Sequence, residues 1–505
     1  MDKETLIKLV INPIEAKGGK AYFVGGCVRD ELLHKEPHDY DIVSNFTPEQ
    51  LHIVFSKFSN ESTNAEKFGV TMPIVNGEKI EIATFRKDLT SGRHPCISLN
   101  ATIEEDAARR DFTINALYED KNGKILDPTG LGLSDLHTHT LRFVGNPMER
   151  LREDPLRVYR FVRFLARGFS YPYTIEELIK FGNSVDFSEV SKERKLKEIK
   201  GIFSSKFFLP LSPSYSAAVC LKVFRDIGLC DIFASMAAIE QSFMWHAEGC
   251  VVSDKYGALF KGEEVKDFSD MKPKRHGNVL DHTLNVWREM NKIIFHDAAI
   301  EETKVDFEDE EKRFLLILSA ILHDIGKTKP IGTKKAIFQW GTRKFEETVP
   351  KVSNHDMLGK SLAEEFCKNL AMSNDEIKFV VTLVGQHMLA HEFTKSKHKF
   401  KILKFVHQPL FKEIMLIAQA DSRGSISTIP NEQKSPEVNL ADPVVRECIN
   451  TPMPKPILTG DDLIKGGLKP GPLFSKMLGV AYARQYEANE TDKQRLFNFV
   501  KNIKE

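Results

Sequence analysis

Apolar and polar positions change rhythm along the chain. In residues 1–145 short β-rich apolar runs alternate with helical stretches, and 22–25, 41–43, 72–75 and 80–85 read as strands. From about 147 to 270 strand signals fade and helical periodicity takes over. Leu156, Val158, Phe161, Val162 and Leu165 share one broad apolar face there. Residues 276–425 are again helical, with 314–325 apolar enough for a buried helix. A charged insertion at 328–353 reads as a loop or short hairpin. Around 427–456 the chain turns rich in Pro, Asn, Ser and Thr, as linkers do. The tail carries a turn signal at 466–472 and then a helix. These rhythms predict an α/β N-terminal head (1–145) and an all-α neck and body (146–270). An all-α third domain (271–426) and a linker with a small helical tail (427–505) complete the chain.

Length agrees with several domains: 505 residues exceed what one core needs at about 150 residues per domain. Lys+Arg and Asp+Glu balance at 71 each, so bulk charge does not advertise a nucleic-acid partner, although a local basic face suffices for one. No apolar run reaches the length of a membrane span. Met1-Asp2-Lys3-Glu4 lacks the basic-then-apolar layout of a signal peptide. The seven cysteines are scattered and form no C-x-x-C pair, which reads as reduced thiols in a cytoplasmic protein.

Chemistry first gathers near the N-terminus. Gly25-Gly26-Cys27-Val28-Arg29-Asp30 follows an apolar strand. Two glycines at a strand-to-helix junction let the backbone approach a phosphate, and Arg29 adds a positive charge. Asp39-Tyr40-Asp41 opens the next apolar run. Residues i and i+2 of a strand point the same way, about 7 Å apart. Two such carboxylates can hold a pair of Mg²⁺ ions about 4 Å apart, which activate an attacking hydroxyl and stabilise leaving pyrophosphate. Taken alone, the pair is a solvated strand end; the preceding glycines raise its specificity. Glu81 is a candidate third carboxylate on a neighbouring strand, or a simple exposed strand residue. In Arg109-Arg110-Asp111-Phe112-Thr113-Ile114-Asn115, adjacent arginines read either as grips for triphosphate oxygens or as a surface charge pair.

In this order the motifs resemble the nucleotidyltransferase superfamily that includes DNA polymerase β. More narrowly they resemble class II tRNA nucleotidyltransferases, the CCA-adding enzymes, and their bacterial poly(A) polymerase relatives. Residues 24–30, 39–41, 109–117 and 127–130 carry the match, and 86–99, with Arg93-His94-Pro95, resembles the family's flexible loop. The resemblance implies a polymerase β-like mixed sheet with helices, catalysis at Asp39 and Asp41 with Mg²⁺, and nucleotide contacts at Gly26, Arg29 and Arg110.

Glu153-Asp154-Pro155 precedes a second motif. Pro155 suits the first turn of a helix, and positions 154, 157, 160 and 163 then form one polar stripe. By spacing alone this is a salt-bridged solvent face. It also resembles the family's nucleobase-selecting motif. The resemblance implies that Asp154 and Arg157 read the Watson–Crick edge of the incoming base, with Arg160 and Arg163 in support. Arg donates only and ionised Asp accepts only, so together they can match cytosine and, rearranged, adenine. Ser191-Lys192-Glu193-Arg194 resembles the next family motif, from which Lys195 departs where an apolar residue is usual.

The third constellation is His282, His323-Asp324, His355, His387 and Asp421 along a helical region. Imidazoles and carboxylates from several helices suit Mg²⁺, Mn²⁺ or Ni²⁺, with positions left for water and phosphate. The order resembles the HD phosphohydrolase superfamily, and Asp324-Ile325-Gly326-Lys327 strengthens it. The resemblance implies His282, His323, Asp324 and Asp421 as metal ligands. His355 and His387 are auxiliary candidates for phosphate contact or a second metal, and Lys327 is a further auxiliary residue.

The expected activity is addition of C, C and A to the 3′ end of tRNA from CTP and ATP, with phosphatase or 2′,3′-cyclic phosphodiesterase activity in the HD domain. The rival readings are a poly(A) polymerase, or an HD phosphohydrolase whose head is only an RNA-binding module. A non-enzymatic RNA chaperone would leave Asp39 and Asp41 idle. Residues 458–472 also resemble a family C-terminal segment and read as an RNA-phosphate contact or a packing module.

Overall fold

In the computed structural model the described residues are 1–59, 64–88, 97–205, 218–237, 243–246, 272–275, 279–296, 305–329, 333–340, 343–350, 355–393, 399–424, 443–501 and 503. The centre of the expected flexible loop and most of the expected linker lie outside them. The chain divides into two compact units, Met1–Ile227 and Gly228–Glu505.

The first unit is built on a six-stranded mixed sheet. Across it run Ile125–Leu126, Tyr118–Glu119, Ala21–Val24, Ile42–Ser44, Ile82–Thr84 and Val70–Thr71. Neighbours are antiparallel except Ile42–Ser44 and Ile82–Thr84, which run parallel with Ile42 opposite Ile82. The strand expected at 72–75 is shorter, with Ile74–Val75 pairing Glu78–Lys79 in a separate ribbon, while the strand that joins the sheet lies just before it at Val70–Thr71. Pro73 between them has no N–H to offer a ladder. The two strands at one side of the sheet, Tyr118–Glu119 and Ile125–Leu126, also escape the sequence pattern, because each is only two residues long. Their hairpin is closed by Asp120, whose side chain accepts from the N–H groups of Asn122 and Lys124 at 2.8 and 2.9 Å.

The helix Arg157–Ala166 buries Val158, Phe161, Val162 and Leu165 as its pattern predicts. Phe161 stacks on Phe143 at 5.5 Å, and Phe112 meets Phe164 edge-on at 5.4 Å. Burying rings of this size contributes about 1.5–3 kcal/mol each. This aromatic seam fixes the helix against the segment after Arg110. Pro155 shapes the approach. A residue before proline is pushed out of the α region, and Asp154 is extended at φ −144°, ψ 103°. The helix therefore begins at Arg157 and Asp154 stands just outside it, which corrects the single-helix stripe read from spacing.

In the second unit the apolar run becomes the helix Glu310–Leu322, buried continuously from Phe314 to Leu322. It packs with Val279–His296, Asn374–Phe393 and Phe411–Gly424, while His355–Asn369 packs on Asn374–Phe393. The insertion is a pair of antiparallel strands, Thr333–Trp340 and Arg343–Pro350. The helical body carries one short ribbon in addition, Phe243–His246 paired with Lys272–Arg275. Four residues rich in aromatics are too few for a helix and suit a strand. The tail helices Gly460–Lys465, Pro472–Glu487 and Lys493–Val500 close over Leu463, Met477, Ala481 and Leu496.

Candidate active sites

The head site begins at Gly25, which ends the strand Ala21–Val24 and caps the helix Gly26–Leu32 at φ +78°. Only glycine adopts that backbone without strain. A Cβ built at Gly25 would lie 3.6 Å from an Arg110 Nη1 and 4.0 Å from Asp41 Oδ2, so the turn lies against both. The Val24 N–H donates to the Asp41 carbonyl at 3.1 Å, which fixes Asp41 at the mouth of the sheet. The parallel register of Ile42 with Ile82 then sets residue 81 beside residue 41.

The three acids feel one another. Asp41 has its pKa raised, first by lost hydration and then by the charge of Asp39, with Arg110 and Lys197 opposing. Glu81 is raised by lost hydration and then by Asp41 and Asp39. Carboxylates gathered this way cost free energy in the absence of a cation. That arrangement fits a divalent metal, and Asp39, Asp41 and Glu81 are the groups that would hold it.

The arginines are less free than their sequence suggests. Both Arg109 and Arg110 grip the buried Asp106 carboxylate, at 2.6 and 3.0 Å. Arg110 Nε also donates to the Tyr118 hydroxyl at 3.1 Å. Burial opposes ionisation of Asp106, but the Arg110 and Arg109 charges outweigh it and hold the pKa below the usual carboxylate value. Arg29 is buried, donates to Asn115 Oδ1 at 2.6 Å, pairs with Asp30 at 2.8 Å and lies over the Phe164 ring at 5.1 Å. Gly26 opens the helix that carries it. Asp127 closes its own turn, accepting from Thr129 Oγ1 and the Leu133 N–H. A cavity of about 350 Å³ adjoins this turn, lined in part by Thr113, Pro128, Arg142 and Tyr173, and no member of the acid cluster lines it.

The stripe that spacing left as a solvent face is instead locked into protein. Arg157 donates to Glu153 Oε2 and to the Arg109 carbonyl, both at 2.7 Å. Arg160 Nε donates to Asp111 Oδ2 at 2.7 Å, and Arg163 reaches the buried Glu198 at 3.3 Å. Asp154 Oδ2 accepts from Arg194 at 2.7 Å. Arg194 and Glu198 lie on the helix Lys192–Phe203, whose Gly201 meets Arg163. A Cβ at 201 would stand 2.2 Å from Arg163 Nε. Lys195, the departure from the family pattern, has its own partner in Asp226 at 2.7 Å.

In the second unit all seven sequence candidates converge. His282 Nε2 lies 3.2 Å from His323 Nε2, 3.0 Å from Asp421 Oδ1 and 3.5 Å from Asp324 Oδ2. The other Asp324 oxygen is 3.4 Å from His355 Nε2 and 3.8 Å from His387 Nε2. Two triplets thus share Asp324: one with His282 and His323, the other with His355 and His387. Lys327 Nζ reaches Asp324 Oδ2 at 2.5 Å. The turn holding Lys327 approaches the helix His355–Asn369 so closely that a Cβ at Gly326 would lie 1.9 Å from the His355 carbonyl oxygen.

The tautomers suit a metal. His323 Nδ1 lies 2.8 Å from the Ala320 carbonyl and His387 Nδ1 2.7 Å from that of Val384. A carbonyl only accepts, so each Nδ1 carries a hydrogen and each Nε2 is the ring atom turned toward the cluster. Among the described residues the buried His387 Nε2 has no hydrogen-bond partner. Burial and the neighbouring His323 push the His387 pKa down to about 4, which keeps it neutral near pH 7. Burial opposes ionisation of Asp324, but Lys327 and His323 outweigh it and hold its pKa well below the usual value.

The Poly A polymerase head domain family matches residues 21–142, and the HD domain family matches residues 279–423. A CCA-adding enzyme of Ligilactobacillus salivarius is 45% identical over 326 residues, covering 59% of this chain and 72% of that protein. The chain belongs to the CCA-adding enzyme family. Poly(A) polymerase I of Haemophilus influenzae is 36% identical over 170 residues, 31% of this chain. The chain spans 37% of that relative and 39% of several CCA-adding enzymes. The fold is similar to that of the Bacillus stearothermophilus CCA-adding enzyme solved with CTP, with a TM-score of 0.59, 20% identity and 99% and 98% of the two chains covered.

Within this family framework the sequence missed the residues that hold others in place. Asp106, Asn115, Asp111, Glu153, Arg194, Glu198 and His391 have no motif signal of their own beyond lying in or near the motifs. Asn115, Asp111, Arg194, Glu198 and His391 meet partners from distant parts of the chain, whereas Asp106 and Glu153 are met by arginines within four residues. Among the described residues no helix is long and apolar enough to cross a membrane.

Proposed function

We propose that the chain adds C, C and A to the 3′ end of tRNA from CTP and ATP, releasing pyrophosphate. The observation that carries this reading is Asp41 set against the Gly25 turn, with Asp39 two residues before it and residue 81 beside it in the parallel register of Ile42 with Ile82. Asp39, Asp41 and Glu81 would hold a pair of Mg²⁺ ions, which would supply charge stabilisation for in-line attack of the tRNA hydroxyl on the α-phosphate. The chain's own residues then bind and orient. The N–H groups after Gly25 and Gly26 face the phosphates, and Arg110 keeps a guanidinium edge toward Asp41. Asp154 and Arg157, held by Arg194 and by Glu153 and the Arg109 carbonyl, would exchange these partners to offer acceptor and donor to the base. Arg29, Arg160 and Arg163 position this wall through Asn115, Asp111 and Glu198.

The second site is proposed as a metal-dependent phosphohydrolase with phosphatase or 2′,3′-cyclic phosphodiesterase activity. His282, His323, Asp324 and Asp421 hold one divalent ion such as Mg²⁺, Mn²⁺ or Ni²⁺. His355 and His387 serve a second ion or phosphate, and Lys327 faces phosphate charge. The proposed divisions are 1–145, 146–270, 271–426 and 427–505, within a cytoplasmic protein.

The deciding experiment incubates the protein with tRNA lacking CCA and with each labelled nucleotide, alone and together. Two C additions followed by one A support the reading. The likeness to Haemophilus poly(A) polymerase I keeps one rival in view; incorporation of ATP alone, in long runs, selects it. Nucleotide hydrolysis without any transfer would reduce the head to a binding module.

A further inference from the structure

The Asp421 carboxylate has two faces with different neighbours. Oδ1 turns inward, 3.0 Å from His282 Nε2 and 3.9 Å from His323 Nε2. Oδ2 turns away and meets His391 Nε2 at 2.8 Å. His391 lies one helical turn beyond His387 on the helix Asn374–Phe393, so both imidazoles emerge on the same side of that helix. Their surroundings differ. His387 is fully buried and points at Asp324, whereas His391 keeps about a fifth of its side chain exposed and belongs to neither metal-competent triplet.

From this geometry we infer that His391 is a positioning residue for the metal centre: its Nε2–H holds the outer oxygen of Asp421 so that the inner oxygen is presented to an ion shared with His282 and His323. The inference rests on the proposed metal role of the second unit and adds a member outside the His–Asp set that the sequence order marks.

The physical reason is rotational. A carboxylate bound through one oxygen is free to turn about its Cβ–Cγ bond, and each alternative orientation weakens the ion's hold. A donor on the far oxygen removes that freedom before the ion arrives. Partners of this kind characteristically change metal affinity by about 10–100-fold when removed. His391 needs its hydrogen on Nε2 for this, the opposite tautomer from that of His323 and His387, whose hydrogens sit on Nδ1. One helix thus carries two histidines in opposite tautomers: His387 offers a lone pair and His391 offers a proton.

The test uses the full chain carrying Asp39→Ala and Asp41→Ala, so that head acids do not contribute ions. Mn²⁺ and Ni²⁺ affinity and stoichiometry are measured by isothermal titration for His391→Ala, His391→Gln and, as a control, Asp324→Ala. Circular dichroism checks that each variant is folded. His391→Ala is expected to weaken binding about 10–100-fold at unchanged stoichiometry. His391→Gln, which retains a donor at similar reach, is expected to recover most of that loss. Wild-type affinity in His391→Ala, while Asp324→Ala abolishes binding, overturns the inference and leaves the metal centre standing. Loss of a bound ion in both His391 variants also overturns it, by making His391 a ligand. Unchanged binding in Asp324→Ala refutes the metal centre itself.

Discussion

Arg160 Nε donates to Asp111 Oδ2 at 2.7 Å, joining the helix Arg157–Ala166 to the buried turn that precedes Phe112. Asp111 also accepts from Asn115 Nδ2 at 3.1 Å, and Asn115 in turn accepts from Arg29. One hydrogen-bonded path therefore runs from the helix behind Gly25 to the stripe proposed to read the base. Burial opposes charge on Asp111, yet Arg160 and the hydrogen bonds keep its pKa below the usual value. Arg160→Met should lower stability by about 2 kcal/mol, a figure reduced from that of a fully buried pair because Arg160 is partly exposed. Denaturant titration measures it, and a loss within error of zero would show that Asp111 is satisfied without Arg160.

Asp39→Ala and Asp41→Ala should each reduce addition of both C and A by about 10³-fold or more while tRNA binding persists. Glu81→Ala should show a comparable loss with a raised Mg²⁺ requirement. Chelation of divalent ions should silence the wild type. Single-turnover rates at several Mg²⁺ concentrations provide the check, and near-normal rates in either aspartate variant would remove the catalytic assignment.

Base choice gives a sharper contrast. A site that pairs its polar groups with the substrate rejects analogues by about 10⁴-fold or more. Asp154→Ala and Arg157→Ala should raise UTP or GTP use relative to CTP and ATP even as total activity falls. Arg194→Ala should shift selectivity in the same direction, since it holds Asp154. Relative kcat/KM for the four nucleotides measures this. Unchanged selectivity in the 154 and 157 variants would place base choice elsewhere.

The two sites should be separable. His323→Ala combined with Asp324→Ala should eliminate phosphohydrolase activity without an order-of-magnitude loss of nucleotide addition, since each site lies within its own compact unit. Addition that collapses in a folded double variant would contradict that independence.

Acid stability follows from Asp106. Its folded pKa lies below 3.8, so its contribution is fully present above that value and is lost as pH falls through the folded pKa. Unfolding midpoints should therefore drop steeply below about pH 4. Asp106→Asn should be less stable at neutral pH and show a shallower acid slope. An identical slope would assign acid sensitivity to other groups.

Much of this site was legible because its chemistry is local in sequence. Asp39 and Asp41 are two residues apart, and His323-Asp324 are adjacent. The apolar helices were legible because burial imposes a period. What escaped depended on which groups meet in space or on a neighbour's effect on the backbone. Glu81 could be promoted from an ordinary strand residue only once the Ile42–Ile82 register was known. Arg109 and Arg110 look like free cations until Asp106, one helical turn earlier, is seen to occupy both. Asp154 was assigned to a helix that Pro155 excludes it from, because the backbone consequence of proline falls on the preceding residue. His391 lacked any motif, since its significance depends on which oxygen of Asp421 it meets.

Gly201 has no functional group, yet Arg163 lies against its bare backbone. The helices Arg157–Ala166 and Lys192–Phe203 can approach only as far as that missing side chain permits. Any effort to retune nucleotide preference must therefore treat the two helices as one interlocking part. A library confined to positions in reach of the base would leave its spacing untouched, whereas a single methyl at 201 would shift the guanidinium that backs the stripe.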